Sequence, residues 1–164
     1  MKRLSKTLQA PVDLQKALNQ TGKAEHFPCG STLFNAGDGN KGVFLVCDGK
    51  VCLQVPEAPH FDRTFSAGSI LGLPSTFIAK PYSLTAACVT DCEVAHVGKK
   101  EFLDLMSRHL DLCREAIDIL SREVAFIFSA LSKCSQGIRN GQYEATLRAR
   151  PGSTRRACQR DERR

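Results

Sequence analysis

The chain has 164 residues, of which 42% are apolar and 24% are charged, a composition typical of one globular domain rather than of a disordered or fibrous protein. No apolar run approaches the roughly 18 residues of a transmembrane helix, and the start of the chain lacks the apolar core of a secretory signal. We therefore expect a cytoplasmic protein without membrane contact. The net charge of +6 is concentrated at one end, because residues 148–164 hold seven Arg beside Asp161 and Glu162. This distribution argues against a nucleic-acid-binding face on the folded domain.

The N-terminal segment, residues 1–24, is predicted to be helical. Leu14 and Leu18 would share one helix face, and Gly22 is suited to end the helix. From Phe27 the pattern changes to short strands separated by closely spaced turns. Such a pattern predicts a β sandwich or roll.

Two pairs of strands are recognisable within this β region. KGVFLVCDGKVCLQV, residues 41–55, is typical of a hairpin in which Asp48-Gly49 supplies the positive φ angles of a two-residue turn. YSLTAACVTDCEVAHVG, residues 82–98, contains two β-rich runs around Thr90-Asp91.

After Gly98 the apolar period becomes helical, with a short amphipathic helix followed by a long one. The long segment, residues 110–134, contains no Gly or Pro, and Gln136-Gly137 is predicted to end it. Its apolar residues recur in steps of three and four, the period with which a helix faces a partner helix, so we predict a homodimer. The alternative is that this face only covers the domain's own sheet. The predicted interface comprises Leu110, Cys113, Ile117, Leu120, Val124, Ile127 and Leu131.

The end of the chain, residues 135–164, lacks apolar periodicity and is predicted to be a basic disordered tail. Its Arg residues could hold DNA nonspecifically through phosphate contacts, but a solvated end is the favoured interpretation. The chain thus divides into a helical segment at 1–24, a β roll with C-terminal helices at 25–134, and the tail.

The eight cysteines do not indicate a metal site, because no two have the C-x-x-C spacing of zinc or iron–sulfur ligands. We expect mainly structural thiols, with redox sensing and metal binding as the alternatives. The four His are scattered without a surrounding motif, and no catalytic constellation is recognisable. The sequence therefore predicts a protein that is not an enzyme and has no cofactor.

Four segments together carry a resemblance to a known family: FPCGSTLFNAGD, GVFLVCDGKV, AGSILG and CEVAHVGKKEFLDL. Their order resembles the cyclic nucleotide-binding domain of catabolite-activator and FNR-type bacterial regulators, from about Glu25 to Leu131. The resemblance implies an α+β fold in which a jelly-roll-like β roll, or double-stranded β-helix, precedes a short helix and a long dimerisation helix. It also implies a role in signal-dependent transcription regulation.

The family's C-terminal winged helix-turn-helix is not recognisable here, since too few apolar residues follow residue 134 to build one. We therefore expect weak or absent DNA binding by this chain. It is either a stand-alone sensor domain or a truncated or frame-shifted relative of a longer regulator.

GSILGLPST resembles the family's phosphate-binding cassette. Its glycines permit close backbone approach, and the following residues would open a helix whose N–H groups attract an anion. In nucleotide-binding members a Glu after the second glycine binds the ribose, and an Arg near the cassette's end pairs with the phosphate. Those positions hold Leu73 and Tyr82 here. The predicted degenerate site comprises Gly68, Ile70, Leu71, Gly72, Leu73, Ser75, Thr76, Tyr82 and Ser83.

Loss of these two polar partners should cost a few kcal/mol, or roughly two to four decades of affinity, so cyclic AMP is not the expected ligand. Two functions remain. The chain is a regulatory sensor that responds to another small effector, or it is a ligand-free dimerisation domain, such as a truncated form of a DNA-binding regulator. An open cavity between Gly72 and Tyr82 would favour the first, and a space filled by Leu73, Phe77 and Tyr82 the second.

Overall fold

A computed structural model describes residues 9–55 and 62–139 of the chain, with side chains up to residue 129 and at Ser132. It contains two four-stranded antiparallel sheets, with strand orders β1-β8-β3-β6 and β2-β7-β4-β5. The predicted α+β jelly-roll-like fold is confirmed. In chain order the elements are α1 (Val12–Thr21), β1 (Lys23–Phe27), β2 (Thr32–Phe34), β3 (Gly42–Asp48), β4 (Lys50–Gln54), β5 (Arg63–Ser66), β6 (Ile70–Leu71), α2 (Leu73–Phe77), β7 (Thr85–Cys88), β8 (Cys92–Gly98), α3 (Lys99–Arg108) and α4 (Leu110–Arg139).

Helix α1 lies within the segment predicted to be helical, and Gly22 follows it directly. Leu14 and Leu18 are fully buried on its inner face. The first strand, however, begins at Lys23 rather than near Phe27. This strand, β1, lies at the edge of its sheet and pairs only with β8. Most of its side chains stay in contact with solvent, so the polar sequence KAEHF carries no apolar alternation that would predict a strand.

Strand β3 shows how the two cores divide. Successive side chains of a strand point to opposite faces, and both faces of β3 are covered. Val43 and Leu45 therefore join the helix-side core, which packs the first sheet against α1, α3 and α4. Phe44 and Val46 join the inter-sheet core, in which the two sheets face each other.

The predicted hairpin at Asp48-Gly49 is wrong. The turn itself forms, with Gly49 at φ 88°, but β3 and β4 belong to different sheets and do not pair. Contacts with the second crossover, between β7 and β8, explain the outcome. The Lys50 N–H donates to the Thr90 hydroxyl at 3.0 Å, and the Val89 N–H donates to the Lys50 carbonyl at 2.8 Å. These hydrogen bonds join the β3–β4 corner to the β7–β8 corner and direct β4 into the second sheet.

Helix α4 is longer than predicted, since it continues past Gly137 to Arg139. A single glycine costs a helix only about 1 kcal/mol relative to alanine, so the predicted end at Gln136-Gly137 is wrong. The disordered tail predicted at 135–164 is therefore wrong for residues 135–139, which belong to α4, and the rest of it lies outside the described residues. Within the described segments, no helix combines the length and the apolar character required to cross a membrane.

Candidate ligand site at the cassette

The cassette has the backbone form of an anion cradle. Gly68 and Gly72 adopt φ angles of 88° and 84°, in the left-handed region that favours glycine. A side chain at Gly72 would also come within 2.9 Å of the Gly42 carbonyl. The helix α2 that follows is a single turn, and the Thr76 hydroxyl fixes its start by donating to the Gly72 carbonyl at 2.8 Å. Thr76 also lies 3.2 Å from the amide group of Asn40, which ties α2 to the turn before β3.

The cavity beside this cradle is small. Its volume is about 70 Å³, whereas sites for small molecules usually measure about 300–1,000 Å³. This space admits a few water molecules but not a nucleotide. The residues that line it are Phe34, Leu53, Ile70, Leu71, Gly72, Pro74, Ser75, Tyr82, Ser83, Leu84 and Glu123.

Tyr82 occupies the space next to Gly72. Its ring stacks on Phe34 with the centroids 4.0 Å apart, and only 2% of the residue is exposed. Its hydroxyl donates to the Gly42 carbonyl at 2.7 Å and accepts from the Lys41 N–H at 3.1 Å. Burial raises the pKa of Tyr82, so the hydroxyl stays protonated and able to donate. The ring is thus fixed both at its face and at its tip.

Leu73 and Phe77 do not fill the cavity. Leu73 is 1% exposed and belongs to the helix-side core together with Leu14 and Phe102. Phe77 packs edge-on against Phe102, with the ring centroids 5.4 Å apart. Of the three side chains that the sequence offered as fillers, only Tyr82 lies in the cavity.

Six of the nine predicted site residues line the cavity together. The other three lie elsewhere: Leu73 is in the helix-side core, Thr76 bonds Asn40 and Gly72, and Gly68 lines a separate groove of about 360 Å³ under α1. Ile70, Leu71, Gly72, Ser75, Tyr82 and Ser83 are the residues that the structure brings together.

Five lining residues were missed by sequence reasoning. Pro74 and Leu84 are close neighbours of predicted residues, so a wider window around the cassette would have included them. Phe34 and Leu53 lie on strands of the second sheet, and nothing local to them indicates a ligand site. Glu123 comes from α4, and only the packing of that helix over the sheets brings it to the cavity.

Glu123 is the one charged residue among those that line the cavity. Burial raises the pKa of its carboxyl group, and the charge of Arg63 on β5 partly opposes this rise. The Arg63 guanidinium lies 4.0 Å from the ring centroid of Phe126 and 5.0 Å from that of Phe65. This aromatic clamp connects α4 with the second sheet beside the cavity.

The predicted dimer residues on α4 divide into two groups. Cys113 and Leu120 are half-buried and pack against the helix-side core, which Ala116 and Ile119 of the same helix enter fully. The side chain of Leu131 lies outside the described residues. The rest, with Phe128, form what we call the outer stripe: Leu110 (73% exposed), Ile117 (51%), Val124 (51%), Ile127 (51%) and Phe128 (66%).

The thiols described as free are those of Cys47, Cys52, Cys88, Cys92 and Cys113. Cys88 and Cys92 flank the corner between β7 and β8, and both are buried. Burial raises the pKa of the Cys88 thiol to about 11, and the neighbouring Cys92 adds to the rise. Thiols with so high a pKa react slowly at neutral pH. In the part of the chain that the structure describes, no three His, Cys, Asp or Glu side chains group as metal ligands would.

Solved structures of regulators share this fold. The catabolite activator protein of Thermus thermophilus aligns with a TM-score of 0.64 at 21% identity, over 76% of this chain and 60% of that chain. A protein from a cyclic-GMP-dependent signalling pathway that regulates bacterial phytopathogenesis aligns with a TM-score of 0.63 at 16% identity, over 74% and 96%. The N-terminal domain of a transcriptional regulator from Streptomyces coelicolor gives 0.53 at 17% identity, over 74% and 87%. At these sequence identities the similarity shows a shared fold and nothing further.

The sequence comparisons give the family. No curated protein is similar enough in sequence to be matched. The profile of the cyclic nucleotide-binding domain, however, matches residues 24–109, which is more than half of the chain and includes the cassette, both sheets and α3. The chain belongs to the cyclic nucleotide-binding domain family.

Proposed function

We propose that the chain is a regulatory dimerisation module whose phosphate cradle is closed by its own Tyr82, and that it does not bind cyclic AMP or cyclic GMP in this state. The observation that carries the proposal is the fixed position of Tyr82, stacked on Phe34 and bonded to the Lys41–Gly42 backbone. The cavity of about 70 Å³ that remains leaves no room for a nucleotide. The absence of the family's Arg and Glu at positions 82 and 73 acts in the same direction.

The outer stripe of α4 supports pairing with a second copy of the chain. Isolated exposed apolar side chains are ordinary, but a continuous row along one side of a helix indicates an interface. The spacing 110, 117, 124 is a seven-residue repeat, as in two-stranded helix pairs. A symmetric dimer would pack this row against its own copy.

The regulatory part of the proposal draws on the fold relatives. Two of them are described as a catabolite activator protein and as a domain of a transcriptional regulator. We therefore propose a role in signal-dependent transcription regulation, through binding rather than catalysis. Because the chain spans only 60% of the Thermus protein, the DNA contacts of such a regulator are not assigned to it.

A second candidate function is a sensor of a small effector other than a cyclic nucleotide. The observation in its favour is that the cavity is not fully filled and is lined by the polar residues Ser75, Ser83 and Glu123. A ligand of a few heavy atoms fits it as it stands, and a larger one requires Tyr82 to move.

Calorimetric titration with cyclic AMP and cyclic GMP tests the closed cradle. We expect no binding at micromolar concentrations for the wild type, nor for Tyr82→Phe, which keeps the ring and removes the hydroxyl. Light scattering of the same samples measures the mass of the assembly, for which we expect a dimer. A micromolar dissociation constant for either nucleotide on the wild type contradicts the closed cradle, and a monomer at tens of micromolar contradicts the dimer.

A further inference from the structure

We infer that Glu123 determines the charge selectivity of the cassette cavity and excludes anionic ligands, independently of the space that Tyr82 occupies. The inference rests on the proposed function, because it concerns the same closed cradle, and it assigns a second cause for the exclusion of cyclic nucleotides. The residue responsible lies on α4, outside the cassette itself.

Glu123 lines the same cavity as the groups that would hold a phosphate. Gly72, Ser75, Ser83 and Glu123 line one cavity of about 70 Å³, so an anion bound to the cradle would lie close to the carboxylate. Two like charges about 6 Å apart at an effective dielectric constant of about 20 repel enough to reduce affinity on the order of a hundredfold. A neutral ligand in the same position suffers no such loss.

Arg63 does not cancel this charge. It influences Glu123 electrostatically, but the two make no ion pair within the described residues, where the pairs are His96 with Glu25 and Arg122 with Asp118. The Arg63 guanidinium is held over the ring of Phe126. Arg63 is not among the residues that line the cavity, and Glu123 is the charged residue in that lining.

The location of Glu123 on α4 has a consequence for regulation. The same helix carries the outer stripe, so a movement of α4 that altered pairing would also move the carboxylate relative to the cradle. The affinity of the cavity for a charged ligand would thereby depend on the position of α4, through the side chain of Glu123.

The test compares two probes that differ in the phosphate: cyclic AMP, an anion, and adenosine, which is neutral. Both are titrated by calorimetry into Tyr82→Ala, which opens the cavity, and into Tyr82→Ala with Glu123→Gln. The control is Tyr82→Ala with Asp118→Asn, which removes the same charge from an exposed position on the same helix. Circular dichroism establishes that each variant is folded.

We expect Glu123→Gln to raise the affinity for cyclic AMP at least tenfold and to change that for adenosine less than threefold, with no gain from Asp118→Asn. Equal gains for both probes, an equal gain from Asp118→Asn, or no binding of cyclic AMP to the Glu123→Gln double variant would overturn the inference. The same comparison in a Tyr82→Leu background, which keeps packing against Phe34, decides the question if Tyr82→Ala does not fold. Failure of the proposed function is a separate result, namely binding of cyclic AMP by the wild type.

Discussion

The side chain at the centre of the cassette is buried against other residues of the chain, whereas the outer stripe of α4 is exposed. At the cassette, Tyr82 stacks on Phe34, bonds the Lys41–Gly42 backbone and leaves a cavity of about 70 Å³. Along α4, five large apolar side chains remain at least half exposed among the described residues. The difference favours partner binding at the helix over ligand binding at the cassette.

The two regions also keep different parts of what their family resemblance implies. The cassette has the backbone that the resemblance implies, with positive φ at Gly68 and Gly72, but Leu73 and Tyr82 stand where the resemblance implies Glu and Arg. The helix has the apolar period from which pairing was predicted. In the proposed function, the cradle is closed by Tyr82, and the apolar row of α4 packs against a second copy of the chain.

The largest effect is expected from opening the cassette. Tyr82→Ala removes a buried ring and both hydroxyl contacts, so we expect the free energy of unfolding to fall by about 3–5 kcal/mol. Tyr82→Phe keeps the ring and should cost only about 1–2 kcal/mol, because one buried carbonyl loses its donor. Urea denaturation measures both changes in the free energy of unfolding, provided that the m-value is the same for all three proteins. Equal losses for the two variants would mean that the stacked ring contributes little to closing the site.

The next effect concerns the helix. Ile117→Glu places a carboxylate in the middle of the outer stripe, opposite its symmetry mate in a dimer, and we expect the dimer dissociation constant to rise at least a hundredfold, or about 2.7 kcal/mol. Ser129→Glu adds the same charge about 120° around the helix and should leave the dimer intact. Sedimentation equilibrium measures the constant. If both variants dissociate alike, net charge rather than the stripe governs association.

Features of the fold with a local cause were predictable from the sequence, and those that depend on distant contacts were not. The strands after β1, the helix α3 and the start of α4 follow from apolar period, which is local. The partner of β3 does not, because the preference of Gly49 for positive φ predicts a turn but not the sheet that the next strand joins. Contacts of Lys50 with the distant corner at Thr90 decide it.

The candidate site shows the same division. The cassette backbone and the presence of Tyr82 in the cavity were predictable from the sequence. The direction of Leu73 was not, since the rotation of a one-turn helix is fixed by the core that it meets, here Leu14 and Phe102. Glu123 was also hidden, because its approach to the cavity depends on how α4 packs across the fold.

A smaller effect sharpens the connection between the two regions. Arg63→Lys keeps the charge but loses the flat guanidinium over Phe126, so we expect a loss of about 1 kcal/mol in the free energy of unfolding. Arg122→Lys, at an exposed pair with Asp118, should change stability by a few tenths of a kcal/mol at most. Chemical denaturation of both variants makes the comparison, and equal small changes would mean that the aromatic clamp does not fix α4.

The smallest effect is the pH dependence of Glu123. Burial raises the pKa of this carboxyl group above its ordinary value of 4.5, so between 4.5 and the raised pKa the folded state binds more protons than the unfolded state. The stability that this group contributes is therefore complete below pH 4.5 and is lost as the pH rises through the folded-state pKa. Glu123→Gln lacks this titration, so its stability relative to the wild type should increase from pH 4 to pH 7.5. Urea midpoints of both proteins across this range measure the difference, in which the other ionisable groups largely cancel. A difference that stays constant would mean that the carboxylate at the cavity is solvated as freely as one on the surface. A difference that falls with rising pH would mean that the attraction of Arg63 outweighs the burial of the carboxylate.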